Sequence, residues 1–113
     1  MRPRLPAGII AAAALTATAA VSFATSAAPS ISIRVFQFRP AQIDIAAGTT
    51  VTWTNEDDIV HTVTSGTPDT RAGRFRRRLD GQGAAASVEF SRPGLYPYFC
   101  ERHPAMRGEI RVN

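Results

Sequence analysis

Residues 50–55, TVTWTN, alternate between threonine and a large apolar residue as far as Thr54. Successive side chains of an extended chain point to opposite faces, so Val51 and Trp53 share one face while Thr50, Thr52 and Thr54 share the other. A stretch with one apolar and one polar face, built of β-branched and aromatic residues, is a strand of a sheet covered on one side. Trp53 is therefore assigned to the core.

The same reading extends in both directions. ISIRVFQF (31–38), QIDI (42–45), VHTVT (60–64), ASVEF (86–90), LYPYF (95–99) and EIRV (109–112) are short, β-branched or aromatic runs, separated by AAG, PG and other Gly/Pro clusters. No helical period of useful length interrupts them. Seven to eight short strands at this spacing predict an all-β fold, an antiparallel sandwich or small barrel. Phe36, Phe38, Val88, Phe90, Leu95 and Phe99 join Trp53 as expected core residues. Between Gly66 and Gly83 the pattern fails, and GTPDTRAGRFRRRLDGQG reads as an irregular connection with at most one short strand, around Phe75 to Leu79.

The first 29 residues, MRPRLPAGIIAAAALTATAAVSFATSAAP, place two arginines before a long Ala-rich run without charge. This is the form of a secretory signal, with Ser26 and Ala28 set as in a small-x-small cleavage site. A retained membrane anchor is the lesser alternative, because alanine and threonine give the segment little drive to stay in lipid. The expected organisation is a signal over residues 1–28 and one domain over residues 29–113, directed to the periplasm or the cell exterior. All 13 basic residues are arginine; with Arg2 and Arg4 in the leader, the remainder exceed the 9 acids by two. That modest balance, without clustered exposed aromatics, predicts no nucleic-acid partner.

The chain has a single cysteine, Cys100, so no internal disulfide can staple the domain, and an unpaired thiol in an oxidising compartment calls for a ligand or a reaction. His103 and Met106 follow it at steps of three, and the only other histidine, His61, lies in the strand-like VHTVT. Taken singly, a strand-end Cys is a small hydrophobe, a Met is filler, and a strand His is satisfied by hydrogen bonds. Together, two imidazoles, a thiolate and a weak thioether form the ligand set of a trigonal copper site for electron transfer. Only five residues separate Cys100 from Met106, so the loop turns tightly enough to present three donors to one point, and Pro104 stiffens it. The predicted metal ligands are His61, Cys100, His103 and Met106, and the predicted cofactor is one copper ion.

GTTVTWTNEDDIVHTVTS (48–65) and FSRPGLYPYFCERHPAMRGEIRVN (90–113), with their Cys-x2-His-x2-Met loop followed by Arg-Gly, resemble the cupredoxins, and most of all their amicyanin and plastocyanin group. The resemblance implies an antiparallel Greek-key β-sandwich of seven to eight strands, in which His61 is the buried upstream ligand, Cys100 the thiolate, Met106 the axial thioether, and His103 the ligand whose ring edge meets solvent. It also implies that a redox protein docks on an apolar patch around His103, to which Pro104, Ala105 and Pro97 belong. Thr62 stands where such proteins often carry Asn, leaving its backbone N–H to serve Cys100. Glu101 places a carboxylate beside the metal loop.

The expected function is an exported, monomeric one-electron carrier and not an enzyme, since four protein ligands leave no open position for substrate. Copper storage or delivery is the alternative. A zinc-loaded or metal-free sandwich is a third reading, against which the thioether counts, being a poor zinc ligand. The run Arg76, Arg77, Arg78 is either a solvated face or a docking surface for an acidic partner or anionic lipid.

Overall fold

The computed structural model describes residues 1–20 and 28–113. Residues 1–20 are exposed and form neither helix nor strand, and no described helix is long and apolar enough to cross a membrane. The expected cleavage site near Ser26–Ala28 falls largely outside the described residues.

Nine strands follow in order: β1 (Ser30–Ile33), β2 (Phe38–Arg39), β3 (Gln42–Ile45), β4 (Thr49–Asn55), β5 (Val60–Gly66), β6 (Arg71–Asp80), β7 (Ala85–Phe90), β8 (Gly94–Phe99) and β9 (Arg107–Val112). They form two sheets, β2-β1-β4-β7 and β3-β9-β8-β5-β6. This is the all-β sandwich read from the sequence, with two departures in detail. The run 31–38 breaks into β1 and β2 around a turn, which adds a strand. The pairings β1·β4 and β3·β9 are parallel, so both sheets are mixed.

Val51 and Trp53 point inward from β4 as their alternation requires, and both are fully buried. Trp53 ties the sheets together: its ring meets Tyr98 of β8 edge-on at 5.3 Å between centroids, with Phe75 of β6 at 6.3 Å and Phe90 of β7 at 6.4 Å. Edge-to-face contacts of this kind contribute beyond simple area burial. Phe38, Val88 and Phe99 are buried as expected. Phe36 and Leu95 are not core: they stand 49% and 57% exposed.

The segment after Gly66 also corrects its expectation. The short strand expected around Phe75 to Leu79 is there but is part of a longer one: Arg71–Asp80 forms ten residues of strand at the end of the five-stranded sheet, turning Phe75 and Leu79 inward where an irregular connection was expected. Arg71, Arg74, Arg76 and Arg78 are exposed and Arg77 is half-buried along what is, among the described residues, a sheet edge, where charge discourages pairing with another chain. The strand register slips between Thr64 and Gly66, and the chain passes so closely there that a Cβ on Gly66 would strike the backbone of Thr70 and Ala72. Its φ of +103° asks for glycine as well.

Candidate metal centre

His61 sits in β5, and Cys100 lies immediately beyond the end of β8; the two strands pair through Thr64 and Phe99. The loop from Cys100 then returns to β9 at Arg107. It is closed on itself by backbone bonds, with Cys100 N–H donating to Met106 O at 3.1 Å and Met106 N–H donating to His103 O at 2.8 Å. His103 is thereby folded back over Cys100.

Cys100 Sγ lies 3.7 Å from His61 Nδ1 and 3.7 Å from His103 Nδ1. All three donor atoms fall within 4.8 Å of one another. A thiolate at about 2.3 Å and an imidazole nitrogen at about 2.0 Å from a common ion, at 110–120° to each other, stand roughly 3.5–3.7 Å apart. The donor spacing therefore fits a metal ion held by one sulfur and two nitrogens. His61 and Cys100 are fully buried, and His103 is partly exposed. Met106, the fourth residue singled out by the sequence, is buried at the end of the same loop.

The cluster is fastened from behind. Asp57 Oδ2 lies 2.8 Å from His61 Nε2. A carboxylate only accepts, so Nε2 carries the proton and Nδ1 turns its lone pair toward Cys100. The same carboxylate accepts the N–H of Val35 at 2.8 Å and of Phe36 at 3.1 Å. Desolvation pushes the Asp57 carboxyl up, but the bonds from His61 and the two backbone amides outweigh it and hold its pKa below the usual carboxylate value. Buried Asn55 supports the arrangement, its Oδ1 accepting from Asp57 N–H at 3.0 Å and its Nδ2 donating to Ile59 O at 2.7 Å.

Thr62 answers the question its identity raises. Its N–H donates to Cys100 Sγ at 3.4 Å, and its hydroxyl accepts the Glu101 N–H at 2.8 Å, so it joins the two ligand-bearing segments without an amide side chain. The Glu101 carboxylate turns away to meet Arg71 at 2.6 Å and Arg76 at 2.7 Å, clamping the metal loop to β6. One member of the expected docking cluster is thus engaged within the chain, and Arg78 stands 3.7 Å from Asp80. Pro97 sits within β8 opposite Glu109, whereas Pro104 and Ala105 are exposed in the metal loop.

Sequence reasoning missed Asp57 and Phe36. Asp57 offered one signal, an acid four residues before a predicted ligand in NEDDIVH; Phe36 offered none, since its run reads as continuous strand. Its ring lies edge-on to both histidines, 5.6 Å from His61 and 4.9 Å from His103, and the imidazoles are 5.1 Å from each other.

The copper-binding protein model of the plastocyanin/azurin family matches residues 25–113. Amicyanin-alpha of Methylorubrum extorquens is 34% identical over 102 residues, spanning 90% of this chain and 86% of its own. The plastocyanin of Scenedesmus fuscus is 32% identical over 83 residues, 66% of this chain and 85% of its own. Among solved structures, a purple cupredoxin from Nitrosopumilus maritimus superposes with a TM-score of 0.69 at 28% identity, covering 75% of this chain and 99% of that one. His61, Cys100 and His103 are thus positioned like a type 1 copper site within a matching fold, and the chain belongs to the plastocyanin/azurin family of copper-binding proteins.

Proposed function

We propose that this chain is an exported carrier of single electrons whose copper would be held by His61, Cys100, His103 and Met106. The observation that carries the reading is the placement of the Cys100 sulfur at 3.7 Å from each of two imidazole nitrogens. Copper bound there supplies a one-electron couple, Cu(II)/Cu(I), for which mixed soft and intermediate donors suit both charges.

The protein's own part is to hold those donors still. His61 is fixed by Asp57, Cys100 by the Thr62 N–H and the loop bonds, and Met106 by its backbone bonds to Cys100 and His103. Four protein donors leave no vacant position for substrate, which is the design of a carrier and not of an oxidase. Amicyanins and plastocyanins stand among its relatives, in keeping with that role. A redox protein is proposed to dock where His103 meets solvent, among Pro104, Ala105 and the exposed Val35 and Phe36.

The β6 arginines are proposed to steer an acidic partner. Because Arg76 is paired with Glu101, their contribution is a weak field, read as a shallower ionic-strength dependence of the electron-transfer rate when Arg76, Arg77 and Arg78 are neutralised together. An unchanged slope removes that role. Export, with residues 1–28 cleaved and a monomer released to the periplasm or exterior, rests on the form of the leader and is tested by the mass and N-terminus of the secreted protein.

The direct test of the centre is an optical and EPR spectrum after one equivalent of Cu(II), repeated after ascorbate. An intense visible band with narrow copper hyperfine splitting, bleached reversibly and absent from Cys100→Ser, supports the carrier. A colourless tetragonal copper signal rejects it. Bleaching accompanied by prompt loss of copper to a chelator favours delivery in its place.

A further inference from the structure

The turn between β1 and β2 is built against local preference. Arg34 and Gln37 exchange both backbone bonds, at 2.9 and 3.2 Å, leaving Val35 and Phe36 as the two central residues of a tight hairpin. Both have positive φ, +49° and +57°, the signs of a type I′ turn. Such turns take Asn-Gly, because a Cβ in this region costs about 1–2 kcal/mol per residue, and a β-branched residue is the least suited of all. The sequence nevertheless places valine and phenylalanine there.

What offsets the strain is Asp57. Its two carboxylate oxygens accept the N–H groups of Val35 and Phe36, and the same group holds His61 Nε2. One side chain therefore fixes both a metal-binding imidazole and the turn across from it. The product of the strain is visible in the ring geometry. Phe36 is set edge-on across both imidazoles, and it borders the same cleft as Ala105 and Met106. Strain that persists beside a site, held by a dedicated partner, points to a role for the residue it displays.

We infer that the Val35–Phe36 turn is a cap on the metal centre, drawn shut by Asp57, which keeps small outside ligands such as azide from reaching the copper beside His103. The inference rests on the copper reading above. Asp57 acts as a positioning residue: it touches no metal itself but aims His61 on one side and seats Phe36 on the other. An apolar ring at the mouth of a metal site governs solvent access and with it the potential of the centre. The arrangement exchanges turn stability for closure, so the variant that opens the site is expected to be no less stable than the parent.

Two variants test this in the full chain. In Val35→Asn/Phe36→Gly the turn receives the residues its geometry favours, so folding is preserved and the melting temperature stays at or above that of the parent. With copper bound, this variant is expected to take azide about tenfold or more tightly, to lose Cu(I) to a chelator about 10- to 100-fold faster, and to shift its reduction potential. Asp57→Asn keeps a side chain of the same size but only one acceptor oxygen. In its metal-free form the Val35 and Phe36 amides are expected to exchange with solvent about tenfold faster, a readout that does not depend on copper. Azide affinity and copper loss unchanged in Val35→Asn/Phe36→Gly would overturn the cap, as would unchanged amide exchange in Asp57→Asn. A parent protein that shows no blue band overturns the copper reading itself, and the cap with it; the two failures are told apart by that spectrum.

Discussion

Two side chains near the metal donors lend themselves to direct tests. Met106 is buried at the close of the loop with its backbone tied to Cys100 and His103. If its thioether is the weak axial donor, Met106→Leu retains copper but removes a ligand that favours Cu(II), and the reduction potential rises; voltammetry of the two proteins decides. Thr62 links the ligand segments through its hydroxyl, which accepts the Glu101 N–H and lies 3.1 Å from Thr64 Oγ1. Thr62→Val keeps the shape but orphans that amide, for an expected loss of about 1–2 kcal/mol by chemical denaturation, while Thr62→Ser restores most of it. The thiolate colour is expected to survive in both, because the backbone N–H to Cys100 remains.

The elements that carry the centre are not equally secured. β5 lies between β8 and β6 inside the larger sheet, whereas β6 has a neighbour on one side only among the described residues and reaches the metal loop through the Glu101 pairs with Arg71 and Arg76. Those arginines are well exposed, so water and salt screen the attraction. Glu101→Gln is accordingly expected to cost about 1 kcal/mol at low ionic strength, with most of the difference gone at about 1 M salt. Equal penalties at both ionic strengths would show that the clamp acts by shape and not by charge. The same strand shows why sequence patterning failed between residues 66 and 83. An edge strand buries little, and with only Phe75 and Leu79 turned fully inward among arginines its alternation is diluted below recognition. Val51 and Trp53, by contrast, announce β4 because that strand is flanked on both sides.

Across the whole molecule, the core contains one conspicuous polar conflict. Tyr98 and Trp53 are fully enclosed, and neither the phenol oxygen nor the indole nitrogen has a hydrogen-bond partner among the described residues. Burial pushes the Tyr98 phenol from 10.0 up to about 12, a rise that the nearby Trp53 indole only partly offsets. Its folded pKa lies above the unfolded one, so the associated stability is complete below pH 10 and drains away as pH rises toward 12. The loss amounts to about 2–3 kcal/mol. Tyr98→Phe is expected to flatten this alkaline decline and to be neutral or stabilising at pH 7, since it leaves no partner unpaired. Thermal unfolding of both proteins from pH 8 to 12 measures the difference.

The candidate ligands and most strands were readable because each declares itself locally, by side-chain chemistry at Cys100, His103 and Met106 or by a two-residue period at Val51 and Trp53. Phe36 and the hold of Asp57 on its turn were not, because those contacts exist only once residues more than twenty positions apart meet; the Asp57 bond to His61 spans just four residues and lay within reach of the sequence. A Val-Phe pair at positive φ also contradicts the turn rules by which sequence is read.

The order of the larger sheet sets a limit on when this protein can work. β9 lies between β3 and β8, and among the described residues β3 pairs with no other strand there. Cys100, His103 and Met106 immediately precede it, while His61 and Asp57 lie far upstream. A nascent chain therefore has every residue needed for the first half of the centre long before it can assemble any of it. Cys100 and His103 cannot be held against His61 until β9 docks between β3 and β8, and until then the lone thiol has no shelter.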